Sequence, residues 1–197
     1  KDRANIAALQ QQLQDNPDNQ VARLALTFLL LNNEDYANAR LHIQRLRQQS
    51  SQRIDYVIAQ ADIELADNQP QTALKILQQA LLLNPNNDSL RFYAANAAIK
   101  NKQYELALTW LKPLSYERPE DPYVWQKLTE VYQTQKDGLN LLRARAEYSF
   151  LLGDIDKALK DLEQAKQLAQ ENYPLLAKII SRKQSLLEIK TTNKKLR

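Results

Sequence analysis

Three alanines occur in this sequence at an identical spacing: Ala39, Ala73 and Ala107 stand 34 residues apart. A large apolar residue follows each alanine four positions later: Ile43, Leu77 and Leu111. Pro85 and Pro119 repeat the same interval near the ends of two units. A period of this length indicates stacked copies of one two-helix unit, in which each copy buries its apolar face against its neighbours. The chain should therefore fold as an array of helical hairpins.

This pattern of small residue, large apolar residue and closing proline resembles the tetratricopeptide repeat (TPR) family. The resemblance implies an all-α, TPR-type right-handed superhelical solenoid of about eleven antiparallel helices that ends in a capping helix. Composition agrees, because leucine, alanine, glutamine and lysine dominate and favour helix. No stretch shows the alternation of a strand, and no apolar run is long enough to predict a transmembrane segment.

We predict a single TPR solenoid domain over residues 1–190, followed by a basic tail over 191–197. Within it we place repeats at 20–53, 54–87 and 88–121, then helices at 122–138, 139–152 and 155–170, and a capping helix at 174–190. The helix at 139–152 is extra, because Ala158 lies 51 residues after Ala107, one period of 34 plus half a period of 17. It should pack as the second helix of a hairpin with the helix before it and as the first helix of a hairpin with the helix after it.

The capping helix should bury one apolar stripe and leave its other face in water. The stripe consists of Leu175, Leu176, Ile179, Ile180, Leu186 and Leu187. Arg182, Lys183 and Lys190 should face away from it into solvent. The net charge is +4, and the lysines and arginine at the C-terminus could attract nucleic acid or anionic lipid, although a solvated tail is the simpler interpretation.

The sequence contains no recognisable catalytic apparatus. His42 is its one histidine and it has no cysteine, whereas a zinc site needs several converging ligands. We expect His42 to be exposed on a second helix. Two glycines cannot form a glycine-rich phosphate loop. We therefore predict that this chain is not itself an enzyme and holds no metal or cofactor.

Protein or peptide binding is the function that remains, and the first helix of each repeat should provide the surface. Helical spacing directs the second, fifth, ninth and twelfth positions of a repeat to the concave side. The predicted partner-binding groove comprises Phe92, Asn96, Tyr123, Gln126, Glu130, Arg143 and Glu147. Arg143 and Glu147 could instead form a surface ion pair, since they lie four residues apart. An apolar groove position could equally belong to the core.

The C-terminal third carries a more specific resemblance. It contains Leu142-Arg-Ala-Arg-Ala-Glu-Tyr148, then Leu152-Gly-Asp154, Ala158 and Leu162, followed by a long last helix. This arrangement resembles the tail of a family of bacterial zinc metallopeptidases that carry a TPR domain after their protease domain. The family's His-Glu-x-x-His motif is absent from this sequence, so no catalytic residue is carried over.

The resemblance implies a periplasmic protein whose TPR domain folds against its own protease domain. That domain would engage outer-membrane β-barrel assembly components or their client proteins, and zinc would belong to the upstream protease domain. The sequence contains no methionine, so we expect a processed product or a piece of a longer protein. The alternative is a free-standing TPR adaptor for pilus or secretion assembly, and nucleic-acid binding is not expected.

Overall fold

The computed structural model describes the backbone of residues 2–195 and the side chains of residues 4–193. The described chain forms eleven α-helices and no strand, which confirms the predicted all-α fold. The helices are α1 (Asp2–Asp15), α2 (Gln20–Asn32), α3 (Tyr36–Gln49), α4 (Ile54–Ala66), α5 (Pro70–Leu83), α6 (Asp88–Lys100), α7 (Tyr104–Glu117), α8 (Pro122–Thr134), α9 (Gly138–Leu151), α10 (Ile155–Leu168) and α11 (Tyr173–Lys195). Among these helices, none is both apolar enough and long enough to cross a membrane.

Helix starts follow from short polar side chains that cap free backbone N–H groups. The capping residues that accept such a hydrogen bond are Asn19, Asp35, Asn87, Asp121, Asp137 and Asp154. Pro70 and Pro122 each stand at the start of a helix, where the missing N–H costs nothing. The turns predicted from the sequence therefore contain their own helix-starting signals.

The 34-residue period is visible in the backbone as well as in the side chains. Glu34, Asn68, Lys102 and Lys136 have φ values between 56° and 62°, and they recur at intervals of 34 residues. Each lies in the turn between two helices, in a left-handed backbone conformation that is unfavourable for most residues other than glycine. Gly153, with φ of 85°, follows Lys136 by 17 residues. A turn at this half period produces one extra helix, α9.

The chain divides into two compact units, unit 1 (Lys1–Ala107) and unit 2 (Leu108–Arg197). In unit 1, α2, α4 and α6 pack beside one another, and α3 and α5 pack against them. Its core cluster includes Leu26, Ile43 and Ile63, and part of α1 covers this cluster. Arg40 on α3 binds the buried carboxylate of Glu64 on α4 at 2.9 Å, so an ion pair also joins these two helices.

In unit 2, α9 packs against both α8 and α10, and α10 packs against α11. The core cluster of this unit joins α9, α10 and α11 through Ala146, Leu162, Ile179 and Leu186. Small residues let α9 and α10 approach closely, and the larger residues of α11 fill the remaining space. The last helix is thereby fixed on the unit by buried apolar contacts.

The structure corrects the predicted orientation of α11. Ile180 and Leu187, which we placed in the buried stripe, are exposed. Arg182, Lys183 and Lys190 do not face away into solvent, because they pair with Glu147, Glu163 and Asp156. Periodicity identifies the polar face of a helix, but the acidic residues opposite it come from α9 and α10. The helix also continues to Lys195, and the side chains of residues 194–197 of the predicted basic tail lie outside the described residues.

Candidate functional site

A cleft of about 310 Å³ lies in unit 2, and helices α7 to α11 all contribute to its lining. We call it the C-terminal cleft. Leu128, Ala144 and Ile179 form part of its wall and are almost fully buried, while the ring of Trp125 lies beside them. Concave sites with an apolar floor and a few polar groups are the usual form of a ligand or peptide pocket. This cleft is therefore the candidate binding site of unit 2.

The orientation of Trp125 is fixed by a hydrogen bond. Its indole Nε1–H donates to the backbone carbonyl of Pro119 at 2.9 Å. Because the polar group of the ring is already satisfied, the remaining aromatic surface is available for apolar contact. Trp125 can therefore offer a ligand a preformed apolar wall with no polar group left to satisfy.

Charged and aromatic side chains border the same cleft. Lys112 and Tyr116 come from α7, Arg143 from α9 and Lys178 from α11. Tyr116 is 79% exposed, so its ring is accessible to a ligand. Arg143 donates a hydrogen bond from Nη1 to Oδ1 of Asn140 at 2.9 Å, which orients its guanidinium group.

Glu147 and Arg182 both line the cleft. Arg182 donates from Nε and Nη2 to the two carboxylate oxygens of Glu147 at 2.8 and 2.6 Å, in the bidentate geometry of a strong pair. Its guanidinium carbon also lies 4.9 Å from the centroid of the Phe150 ring. Among the described residues, Glu147 pairs with α11, and the alternative of a surface pair between Arg143 and Glu147 is wrong.

The other predicted groove residues of unit 2 lie outside the cleft lining. Tyr123 and Gln126 are exposed on α8. Lys127 donates a hydrogen bond from Nζ to Oε2 of Glu130 at 3.0 Å. Arg143 and Glu147 are the two predicted residues that the cleft contains. That one partner contacts all five predicted groove residues of unit 2 stays a prediction.

Phe92 and Asn96 belong to α6 in unit 1 and are half-buried. The Phe92 ring meets the edge of Tyr93 with centroids 6.0 Å apart. Nearby on α4, burial raises the pKa of Asp62 to about 6. Burial and the charge of Asp62 also raise the pKa of Tyr93. The predicted groove residues thus fall in both units, and their action as one surface stays a prediction.

His42 differs from its sequence-based expectation. It is half-buried, and its Nδ1 lies 3.3 Å from Nη1 of Arg23 in a second cleft, in unit 1, which Arg45 also lines. Burial first, and then the charges of Arg23 and Arg45, lower the pKa of this histidine. The prediction of an exposed residue fails because α1 and the Pro17 turn cover this face of α2 and α3. Within the described part of the chain, no group of three or more metal-ligating side chains is found.

Sequence reasoning missed the contributions of α7 and α11 to the C-terminal cleft. It followed the first helices of the repeats, whereas Lys112, Tyr116, Lys178 and Arg182 lie elsewhere. The available signal was the half-period shift before Ala158. This shift marks the helices after it as departing from the repeat pattern on which the groove prediction was based.

Comparison with known proteins agrees with this fold. Residues 64–131 match the family model described as tetratricopeptide repeat. Over 130 residues the chain is 30% identical to the β-barrel assembly-enhancing protease of Yersinia pestis. The aligned region is 66% of this chain and 27% of that protein, so the chain spans about a quarter of this relative.

Solved structures show the same architecture at low sequence identity. PilW, a type IV pilus biogenesis factor, has a TM-score of 0.68 at 14% identity, with 91% of this chain and 90% of PilW covered. MamA from Desulfovibrio magneticus has a TM-score of 0.62 at 15% identity, with coverages of 87% and 96%. A tetratricopeptide repeat protein from Parabacteroides merdae gives 0.61 at 12% identity, with coverages of 91% and 76%. The family match thus covers residues 64–131, and these neighbours show that the described chain has the fold of a tetratricopeptide repeat solenoid.

Proposed function

We propose that this chain is the non-catalytic protein-interaction domain of a periplasmic zinc metallopeptidase. It recruits components of the outer-membrane β-barrel assembly machinery, or client proteins, to that enzyme for quality control. The observation that supports this proposal is the 30% identity with the β-barrel assembly-enhancing protease, of which the chain spans 27%. The catalytic zinc then belongs to a separate, upstream protease domain.

The C-terminal cleft supports binding of an extended segment in this role. Its volume of about 310 Å³ is at the lower end of ligand pockets, so it suits one or two side chains of a partner. The accessible rings of Trp125 and Tyr116 favour an apolar side chain, and hydrogen-bond donors at the border can satisfy the carbonyl groups of a bound backbone. A client held in this way is kept close to the protease domain.

A free-standing TPR adaptor for pilus or secretion assembly is the second candidate. PilW and this chain cover each other almost completely in structure, at 91% and 90%. At 14% identity this likeness concerns the fold, so the choice between the two functions belongs to experiment.

The mass and zinc content of the native gene product distinguish these functions. An antibody raised against this chain would isolate the product from its own cells, for intact mass spectrometry and elemental analysis. We expect a product substantially larger than the 22.8 kDa of this chain, with bound zinc. A zinc-free product of about that mass would overturn the metallopeptidase proposal and favour the adaptor. A parallel isolation with an antibody to an unrelated envelope protein gives the background level of zinc.

A further inference from the structure

The charge of the C-terminal cleft is strongly unbalanced. Among the described side chains that line it, four are cationic, namely Lys112, Arg143, Lys178 and Arg182, and one is a carboxylate, Glu147. The bidentate pair of Arg182 with Glu147 uses up that carboxylate. Three cations therefore remain without a compensating acid in the lining. Positive charges that converge on a partly enclosed surface raise the local concentration of anionic partners.

The remaining cations come from three different helices. Lys112 lies on α7, Arg143 on α9 and Lys178 on α11. Of these, Arg143 is held by its hydrogen bond to the Asn140 side chain, and this bond leaves its other N–H groups free to donate. A guanidinium group fixed in this way suits a carboxylate, because the geometry is set before the ligand arrives.

The apolar surface of the cleft adds a second requirement. The half-buried Trp125 and the exposed Tyr116 offer aromatic surface in the cleft, and the buried side chains of Leu128 and Ile179 pack beneath them. A ligand that carries charge alone would leave this surface in contact with water. A ligand that carries only apolar groups would leave the cations uncompensated. The complementary ligand therefore combines both kinds of group.

We infer that the C-terminal cleft binds an acidic peptide segment, with a large apolar side chain packed against the rings of Trp125 and Tyr116. Aspartate or glutamate residues next to that side chain bind Arg143, Lys178 and Lys112. The inference rests on the proposed function in that the domain binds proteins, and it adds the chemistry of the segment that is bound. It holds equally for a metallopeptidase domain and for an adaptor.

An array of randomised decapeptides, probed with the labelled chain, tests the inference without a known partner. We expect the bound peptides to be enriched in aspartate and glutamate within a few residues of a large apolar residue. For one of these peptides, prepared in solution, the double variant Arg143→Gln/Lys178→Gln should bind about tenfold or more weakly. Raising salt from about 50 to about 500 mM should also weaken the wild-type complex.

The matched control is Lys157→Gln/Lys160→Gln, which removes two positive charges from exposed positions of α10 that do not line the cleft. This control should bind the acidic peptide with the affinity of the wild type. Peptides bound without enrichment in acids would overturn the inference and leave the proposed function standing. Equal loss of affinity in both double variants would also overturn it, because the effect would then follow net charge. Absence of bound peptides on the array contradicts the inference, whereas the mass and zinc content of the native product test the proposed function separately.

Discussion

The variant Arg145→Ala should lose about 2–3 kcal/mol of the free energy of unfolding of unit 2, because it leaves a buried carboxylate without its hydrogen-bond donors. Arg145 on α9 donates from Nε and Nη2 to the two oxygens of Asp161 on α10, at 2.8 and 2.7 Å. The Asp161 side chain is only 4% exposed and that of Arg145 is 36% exposed, so water that enters the space left by Arg145 replaces the lost donors only in part. Urea denaturation monitored by tryptophan fluorescence reports on this unit, because both tryptophans of the sequence, Trp110 and Trp125, belong to it.

Lys190→Ala provides the control for this prediction. Lys190 also forms an ion pair, but its partner Asp156 has a side chain that is 78% exposed. An exposed pair contributes about 1 kcal/mol or less, so this variant should unfold close to the wild type. Replacing both members of the buried pair, as in Arg145→Leu/Asp161→Leu, should recover much of the lost stability. Equal stability of Arg145→Ala and the wild type would show that the pair does not hold α9 on α10.

Leu186→Ala should destabilise unit 2 by about 2–5 kcal/mol and weaken peptide binding at the same time. The Leu186 side chain is fully buried in the cluster that fixes α11 on α9 and α10. Loosening α11 displaces Lys178, Ile179 and Arg182, which line the C-terminal cleft. The measurements are urea denaturation by tryptophan fluorescence and titration with an array-selected peptide.

The neighbouring residue supplies a matched control, because Leu187→Ala makes the same chemical change at a side chain that is 39% exposed. This variant should differ from the wild type by about 1 kcal/mol or less and should bind peptide normally. If Leu186→Ala bound the peptide as tightly as Leu187→Ala under conditions in which both are folded, the predicted coupling between the packing of α11 and peptide binding would be contradicted.

The repeated helices could be predicted because their packing imposes a local requirement at each period. Ala39, Ala73 and Ala107 are fully buried, and a larger side chain there would separate the two helices of a hairpin. The same interval places Glu34, Asn68, Lys102 and Lys136 in left-handed turns. These backbone positions could not be identified from residue type, since none of the four is glycine and the structure around them imposes the conformation.

The candidate site was harder to predict because its lining is assembled from distant parts of the sequence. Glu147 and Arg182 are 35 residues apart, and the sequence alone offers each of them nearer residues of opposite charge. Helical periodicity assigned Arg143 and Glu147 to an inner surface, and both do line the C-terminal cleft. It could not reveal that α11 folds back to supply Lys178 and Arg182, since a helical pattern describes one helix and not its neighbours.

Site-specific photo-crosslinking in the cells that produce this protein tests most directly whether the C-terminal cleft is the surface that binds partners. A photoreactive residue would replace Tyr116 at the border of the cleft, or Lys160 on an exposed part of α10 outside it. We predict that position 116 forms an adduct with an outer-membrane assembly component or a client protein, identified by mass spectrometry, and that position 160 does not. Adducts that form equally from both positions, from position 160 alone or from neither would contradict binding at the cleft.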